Sequence, residues 1–232
     1  MGSRTAIVTG ASGGLGAEIA RHLAARDFRV ALLARKLDPL TRLAEELRPH
    51  ESMPLAVDIT DWPAVSSAVD AVAMSWGGVD TVVVSAGVAM SSSFVDEKGP
   101  PPDTWAAMVS TNVLGSALTA RASLPHLRRR GGHLILIGSV SGIVTRPGSL
   151  YSVTKWAVSA LAESIRVEMA GSGVRVTIVH PGIIETDILR PEHQDQPKLQ
   201  AKDVARTVLW AIDQPPDVDV GALVVRPSGA AH

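Results

Sequence analysis

Residues 9–16 read TGASGGLG, with the apolar run Ala6-Ile7-Val8 before them and AEIARHLAARD after. A β-branched run that passes through glycines into an amphipathic stretch reads as strand, tight turn and helix. At such a junction bare backbone lets an anion approach the unpaired N–H groups and partial positive charge of the helix end. The spacing here is T-G-x-x-x-G-x-G, carried by Thr9, Gly10, Gly14 and Gly16. It departs from G-x-G-x-x-G because Ile19, not glycine, stands three residues after Gly16. No Gly-Lys-Ser/Thr follows, which excludes a P-loop. A tight turn with no ligand is the competing reading of these glycines taken alone.

Outward from this turn, short β-branched runs alternate with amphipathic ones, the pattern of a parallel sheet covered by helices on both faces. Strands are expected at Ala6–Thr9, Arg29–Ala34, Leu55–Asp58, Thr81–Ser85, Leu134–Gly138, Val174–His180 and Leu223–Val225. Helices are expected at Leu15–Arg26, Leu40–Arg48, Ala64–Ser75, Thr104–Arg130 (with room for a break), Tyr151–Ala170 and Ala201–Ile212. Asp38-Pro39 reads as a cap followed by a first-turn proline, and Asp103 opens the long helix. Trp105, Met108 and Val109 are expected to face the core. The polar, proline-punctuated stretch 187–200 is a surface loop or a substrate lid. Residues 1–232 form a single α/β domain on this reading.

Composition narrows the function classes. Of 232 residues, 46% are hydrophobic and 19% charged, the latter below the usual quarter, so a large fraction of the chain is expected to be buried. A net charge of −1 gives no electrostatic reason to expect nucleic acid or an anionic membrane as partner. Arg128-Arg129-Arg130 closes a helical pattern and complements its carbonyl end. There is no cysteine, which excludes disulfides and thiolate zinc sites. The histidines are scattered without H-E-x-x-H, so no metal is assigned. Met1-Gly2 lacks the Ser or Thr that myristoylation needs, since Ala6 stands there. No signal-peptide pattern or membrane-length apolar run is present, and a cytoplasmic location is expected.

A second constellation lies downstream. Tyr151 and Lys155 in YSVTK stand at i and i+4, on one face of a helix. Free phenol exchanges protons poorly at neutral pH, its pKa being about 10. An ammonium some ~4–5 Å away favours phenolate by roughly 2–3 pK units as an upper scale. That brings Tyr151 toward the range of a general acid–base. Ser139, at the end of a strand, is placed to donate to the same substrate oxygen. Alone, Y-x-x-x-K fits an ordinary amphipathic helix with a surface lysine equally well. GSVSG at 138–142 is no hydrolase elbow, because Val140 holds the place of the nucleophile.

Taken together, these motifs resemble the short-chain dehydrogenase/reductase family over nearly the whole chain, from Thr5 to about Pro227. TGASGGLG is similar to its cofactor turn, and VSAG (Val84–Gly87) to its N-N-A-G segment. Asn112, Ser139, Tyr151 and Lys155 match its catalytic tetrad in identity and order, and PGIIET (Pro181–Thr186) its nicotinamide-binding segment. Val84-Ser85, where the family usually has two asparagines, is a departure that puts local sheet-bracing bonds in question.

The resemblance implies a Rossmann-like doubly wound parallel sheet of about seven strands and an oxidoreductase interconverting a carbonyl and a primary or secondary alcohol. Tyr151 would exchange the proton, Lys155 would lower its pKa and hold the nicotinamide ribose, Ser139 would orient the substrate oxygen, and Asn112 would position a water. Gly10, Ser12, Gly14, Leu15 and Gly16 would cradle the cofactor diphosphate. Asp58 and Ile59 would meet the adenine, and Ala86 and Gly87 the adenosine ribose. Pro181, Gly182 and Ile184 would hold the nicotinamide end, and Thr186 would bind its carboxamide or the diphosphate.

The second strand ends in RVALLARK, placing Ala34 and then Arg35 where an NAD enzyme carries its ribose-binding acid. NADP(H) is therefore expected over NAD(H), although Gly13 stands where many NADP relatives have a second basic residue. The substrate is a small carbonyl or alcohol; Arg146 and Arg190 are candidate carboxylate anchors, set against the ordinary reading of solvated arginines. Apolar residues on more than one face of Tyr151–Ala170 point to a homodimer or homotetramer. A cofactor-binding sensor and an isomerase or dehydratase on the same fold are the alternatives.

Overall fold

The computed structural model describes residues 3–95, 101–185 and 194–230. Strand β1 (Thr5–Thr9) enters the glycine turn, which leaves as helix α1 (Gly14–Ala24). Then follow β2 (Arg29–Ala34), α2 (Leu37–Glu46), β3 (Ser52–Ala56), α3 (Trp62–Trp76) and β4 (Thr81–Val84). A long helical arm comprises α4 (Asp103–Val109), a π-helical turn (Ser110–Gly115) and α5 (Ser116–Arg130). Next come β5 (His133–Ile137), a 3-10 turn (Val140–Gly142), α6 (Leu150–Glu168) and β6 (Arg175–Pro181). The two-residue strands β7 (Ile184–Glu185) and β8 (Leu199–Gln200), helix α7 (Ala201–Ile212) and β9 (Ala222–Val225) complete the described elements.

Seven strands make one parallel sheet in the order β3-β2-β1-β4-β5-β6-β9, while β7 and β8 pair with each other. A parallel sheet is buried on both faces, so its strands are apolar along their whole length. Their alternation still matters, because it shares the side chains between two cores. Ala6 and Val8 of β1 join α1, α2 and α7 on one face, whereas Ile7 joins α3, α5 and α6 on the other. In β5, Ile135 and Ile137 take the first face, and Leu134 and Leu136 the second. From β1 the chain winds outward to β2 and β3; from β4 it winds the opposite way. The two windings part between β1 and β4, leaving a crevice at the strands' carboxyl ends.

The expected elements are present, with instructive shifts. β3 runs from Ser52 to Ala56, not to Asp58, because it is an edge strand that tolerates Pro54. Val57 and Asp58 thereby fall in the loop over the crevice. Asp38 is not the cap of α2: the helix begins at Leu37, with Lys36 at the cap position and no side-chain cap. Pro39 falls in the first turn, where an absent N–H forfeits no helical bond, and Asp38 faces the positive helix end. Asp103 opens α4, and the break in the long arm is the π-helical turn. Met108 is buried, but Val109 is exposed, since α4 is a surface helix whose apolar stripe is narrow. The three arginines occupy the last turn of α5, closed by Gly131 in the left-handed region. Of the candidate lid, 187–193 lies outside the described residues, and Leu199–Gln200 forms β8.

His133 opens β5 and is 2% exposed. Its Nε2 is hydrogen-bonded to Thr177 Oγ1 at 2.7 Å, and its Nδ1 has no partner among the described residues. Burial, helped by the Arg175 guanidinium, pushes its pKa down from 6.5 to about 3. The native state thus holds the ring neutral while the unfolded chain protonates. Stability is complete above the unfolded pKa and drains away as pH falls toward the folded one, by about 1.4 kcal/mol per pH unit. Between about pH 6.5 and 4.5, wild type should lose roughly 2–3 kcal/mol more unfolding free energy than His133→Gln in urea titrations. Equal losses would overturn this account.

Candidate active site

A cleft of about 660 Å³ opens at the carboxyl ends of the strands. The glycine turn forms one edge, and two of its glycines are required by contact. Gly10 has φ +73°, and a Cβ there would stand 2.8 Å from the Ala86 backbone. A Cβ on Gly16 would stand 2.3 Å from the Gly10 carbonyl oxygen. The turn is therefore folded against itself and against the end of β4. Helix α1 has no side-chain cap and no acid in its first turn, so its leading N–H groups stay open to an anion. Ser12, Gly14 and Leu15 line the same edge.

Past β2, Arg35 and Lys36 line one end of the cleft, facing Asp58 and Ile59 from the loop after β3. The Asp58 carboxylate accepts from Thr60 N at 2.9 Å and Thr60 Oγ1 at 2.8 Å. Those bonds, with a smaller contribution from Arg35, hold its pKa below the usual carboxylate range. Ala86 and Gly87 follow β4 at the middle of the cleft. Here the departure at Val84-Ser85 finds its substitute. Thr9 Oγ1 accepts from both Ser85 N and Ala86 N at 3.2 Å, tying the ends of β1 and β4.

The other end gathers the polar groups of β5, the 3-10 turn and α6. Ser149 caps α6 by accepting from Ser152 N at 3.1 Å, which sets Tyr151 and Lys155 in the first turns. Lys155 is buried; its Nζ donates to the Ile137 carbonyl at 2.8 Å and lies 5.8 Å from the Tyr151 ring centroid. Burial lowers its pKa to about 8. Ser139 Oγ accepts from Ser141 N at 3.1 Å, leaving its own proton for an acceptor in the cleft. Ser139, Tyr151 and Lys155 line this end together, with Pro181, Gly182 and Ile184 along the wall. Thr186 and Arg190 lie outside the described residues.

Asn112 stands behind this wall and does not line the cleft. Its Oδ1 accepts from Val88 N at 2.8 Å, and its Nδ2 donates to Val88 O at 2.9 Å and Thr154 Oγ1 at 3.0 Å. The side chain grips the backbone next to Gly87, where a Cβ would lie 3.7 Å from Lys155 Nζ. His180, a scattered histidine in the sequence, donates from Nδ1 to the Ser139 carbonyl at 3.0 Å. That bond fixes the tautomer, and burial, together with the charge on Lys155, lowers its pKa. Thr154 and His180 carry no signal in the sequence, and Thr9 signals only its place in the glycine motif, because their partners are distant in the chain. Among the described residues no group of acids and histidines could hold a metal, and no helix is long and apolar enough to cross a membrane.

A seven-stranded parallel sheet flanked by helices, with a glycine-turn cleft at its carboxyl edge, defines a Rossmann-like α/β protein. The family profile described as short chain dehydrogenase matches residues 4–197, and the chain belongs to that family of oxidoreductases. Uncharacterised oxidoreductases of Staphylococcus aureus strain MRSA252 and of Staphylococcus saprophyticus are 36% identical over 227 residues and 34% over 230, covering 97% of both chains in each case. Among solved structures, the alcohol dehydrogenase of the archaeon Thermococcus sibiricus, complexed with 5-hydroxy-NADP, superposes with a TM-score of 0.90 at 28% identity, covering 99% of each chain. A variant actinorhodin polyketide ketoreductase with NADPH gives 0.89 at 27% identity, covering 100% of each.

Proposed function

We propose that the chain is an NADP(H)-dependent oxidoreductase that interconverts a carbonyl and a primary or secondary alcohol, with Tyr151 as general acid–base. The observation that carries this reading is the buried ammonium of Lys155 beside the Tyr151 ring, in a cleft that the glycine turn edges. The nicotinamide, when bound, supplies or accepts the hydride. Tyr151 Oη gives its proton to the carbonyl oxygen in reduction and recovers it in oxidation. Lys155 favours the phenolate by its charge, and after the bond to Ile137 its ammonium retains donors for the cofactor ribose. Ser139 donates to the substrate oxygen, while His180 and Ser141 hold that serine. Asn112 acts by gripping the Val88 backbone, which keeps Gly87 close beneath the cofactor. The diphosphate belongs at the open N-terminus of α1.

Tyr151→Phe keeps the ring and removes the proton. Turnover of a carbonyl panel, followed by the absorbance of reduced nicotinamide, should fall by about 10²–10⁴-fold, with cofactor affinity little changed. Retention of most of the wild-type rate would remove Tyr151 from the role.

For the cofactor, among the described residues the end of β2 presents no carboxylate to the cleft. Arg35 and Lys36 stand there, and the acid opposite, Asp58, is engaged by Thr60. A 2′-phosphate meets cations and no fixed anion aimed at it. The NADP carried by the two solved relatives supports the same choice. NADPH should be preferred by about 10–100-fold in kcat/KM, and Arg35→Ala should raise KM for NADPH while sparing NADH. Equal losses with both cofactors, or a wild-type preference for NADH, would reverse the assignment.

We also propose a homodimer or homotetramer. Val153 and Trp156 of α6 are 55% and 46% exposed, and Leu114 of the adjacent π-helical turn is 49% exposed. Apolar surface spanning neighbouring elements is what a subunit contact covers. Light scattering at micromolar concentration should give a multiple of the chain mass, and a monomeric mass would dismiss the contact.

A further inference from the structure

Among the described residues five charged side chains line the cleft: Arg35, Lys36, Asp58, Arg146 and Lys155. The first three stand at the end assigned to the adenosine, and Lys155 lies at the floor. Arg146 is left without a task. It sits between the 3-10 turn and α6, five residues before Tyr151, half-buried and in no ion pair among the described residues. The cleft that it lines also has apolar stretches of wall, among them Val88, Ala89, Val140 and Ile184. A partly buried guanidinium in a cleft attracts an anion more strongly than one in open water.

The loop that carries Arg146 is fastened at both ends. Ser92 Oγ donates to Gly148 O at 2.8 Å and accepts from Leu150 N at 2.7 Å. Ser152 Oγ donates to Ser141 O at 2.6 Å, and Val144 N to Val140 O at 2.9 Å. Within the loop, Ser149 N donates to Arg146 O at 3.3 Å. The guanidinium therefore starts from a mount tied to the helix of Tyr151, the preorganisation that a recognition group needs.

We propose that Arg146 receives the carboxylate of the substrate, so that the substrate class is oxo acids and the corresponding hydroxy acids. This rests on the oxidoreductase reading above. The guanidinium presents paired donors that one carboxylate saturates. A phosphate dianion would bring a second charge, for which the described wall at this end offers no further cation apart from Lys155.

The test compares kcat/KM for two acid–ester pairs, carboxybenzaldehyde and succinic semialdehyde against their methyl esters, at low ionic strength. The acid-to-ester ratio cancels any effect shared by both, including changes in fold, cofactor affinity or Tyr151. Wild type should prefer the acids by about 10–100-fold, Arg146→Leu should bring the ratio near one, and Arg146→Lys should restore part of it. Calorimetry of benzoate against benzamide on the NADP-loaded protein reads the same contact without turnover. Benzoate binding that Arg146→Leu abolishes, in a protein that turns over no carbonyl, would keep the carboxylate site and reject the oxidoreductase reading. A wild-type ratio near one, a ratio unchanged in Arg146→Leu, or benzoate binding no tighter than benzamide would overturn the assignment of Arg146.

Discussion

An ammonium taken out of water costs several kcal/mol unless protein groups replace its hydration, and Lys155 is buried with the Ile137 carbonyl as its hydrogen-bond acceptor among the described residues. That acceptor is the last residue of β5, so the lysine can be charged only while α6 keeps its distance from the sheet. Gly142 sets this distance. A Cβ there would come within 2.6 Å of the Lys155 carbonyl oxygen, and Ser159 Oγ lies 3.0 Å from both the Gly142 and the Lys155 carbonyls. The 3-10 turn is thus clamped to the helix that bears the charge. Ser139 begins that turn, so the clamp that places Lys155 also places the hydroxyl beside it.

The same ammonium depends on the backbone across the cleft. Gly87 leaves room over Lys155 Nζ, and Asn112 holds the following residue at both its N–H and its carbonyl. Asn112 lies in the π-helical turn, where the altered hydrogen-bond ladder changes the phase of the arm. The turn is pressed onto the loop after β3, since a Cβ on Gly115 would overlap Ile59 Cδ1 at 2.6 Å. The two ends of the cleft are therefore joined through the arm as well as through the sheet. Thr9 adds a third tie at the β1–β4 junction, from a residue type that needs only a hydroxyl in reach of two N–H groups.

What the amino-acid order reveals in advance follows from which constraints are local. Gly10 and Gly16 were legible because a backbone that must turn back on itself admits no Cβ, and glycine spacing records that demand directly. Tyr151 and Lys155 were legible because four residues is one helical turn. The alternation of β-branched runs and amphipathic stretches conveyed the sheet, since every parallel strand must be apolar throughout. The braces were not legible. Thr9 meets Ser85 and Ala86, Asn112 meets Thr154, and His180 meets Ser139, each through contacts that exist only after folding. Thr9 opens the glycine motif, yet its bracing contacts, like those of a histidine before a proline, have no pattern until the partner arrives. Asp38 misled for a related reason: its side chain suits a cap, but capping is decided by where the helix starts, and Leu37 already belongs to the first turn.

On the proposed reading, these contacts separate the groups that would exchange the proton from those that would choose what enters. Ser139, Tyr151 and Lys155 hang on strand ends and on the first turns of α6, in positions that backbone bonds over-determine. Arg35 extends from an exposed position past β2, and Arg146 from a loop whose ties run to Ser92 and to α6 rather than to Lys155. A change at either arginine leaves the Lys155–Ile137 bond, the Ser139 contacts and the Asn112 grip untouched. Functional side chains on connections over a rigid sheet are free to vary in this way. On that reading the costly buried charge is fixed by the fold, and selectivity would sit where exchange of a side chain disturbs nothing that holds that charge.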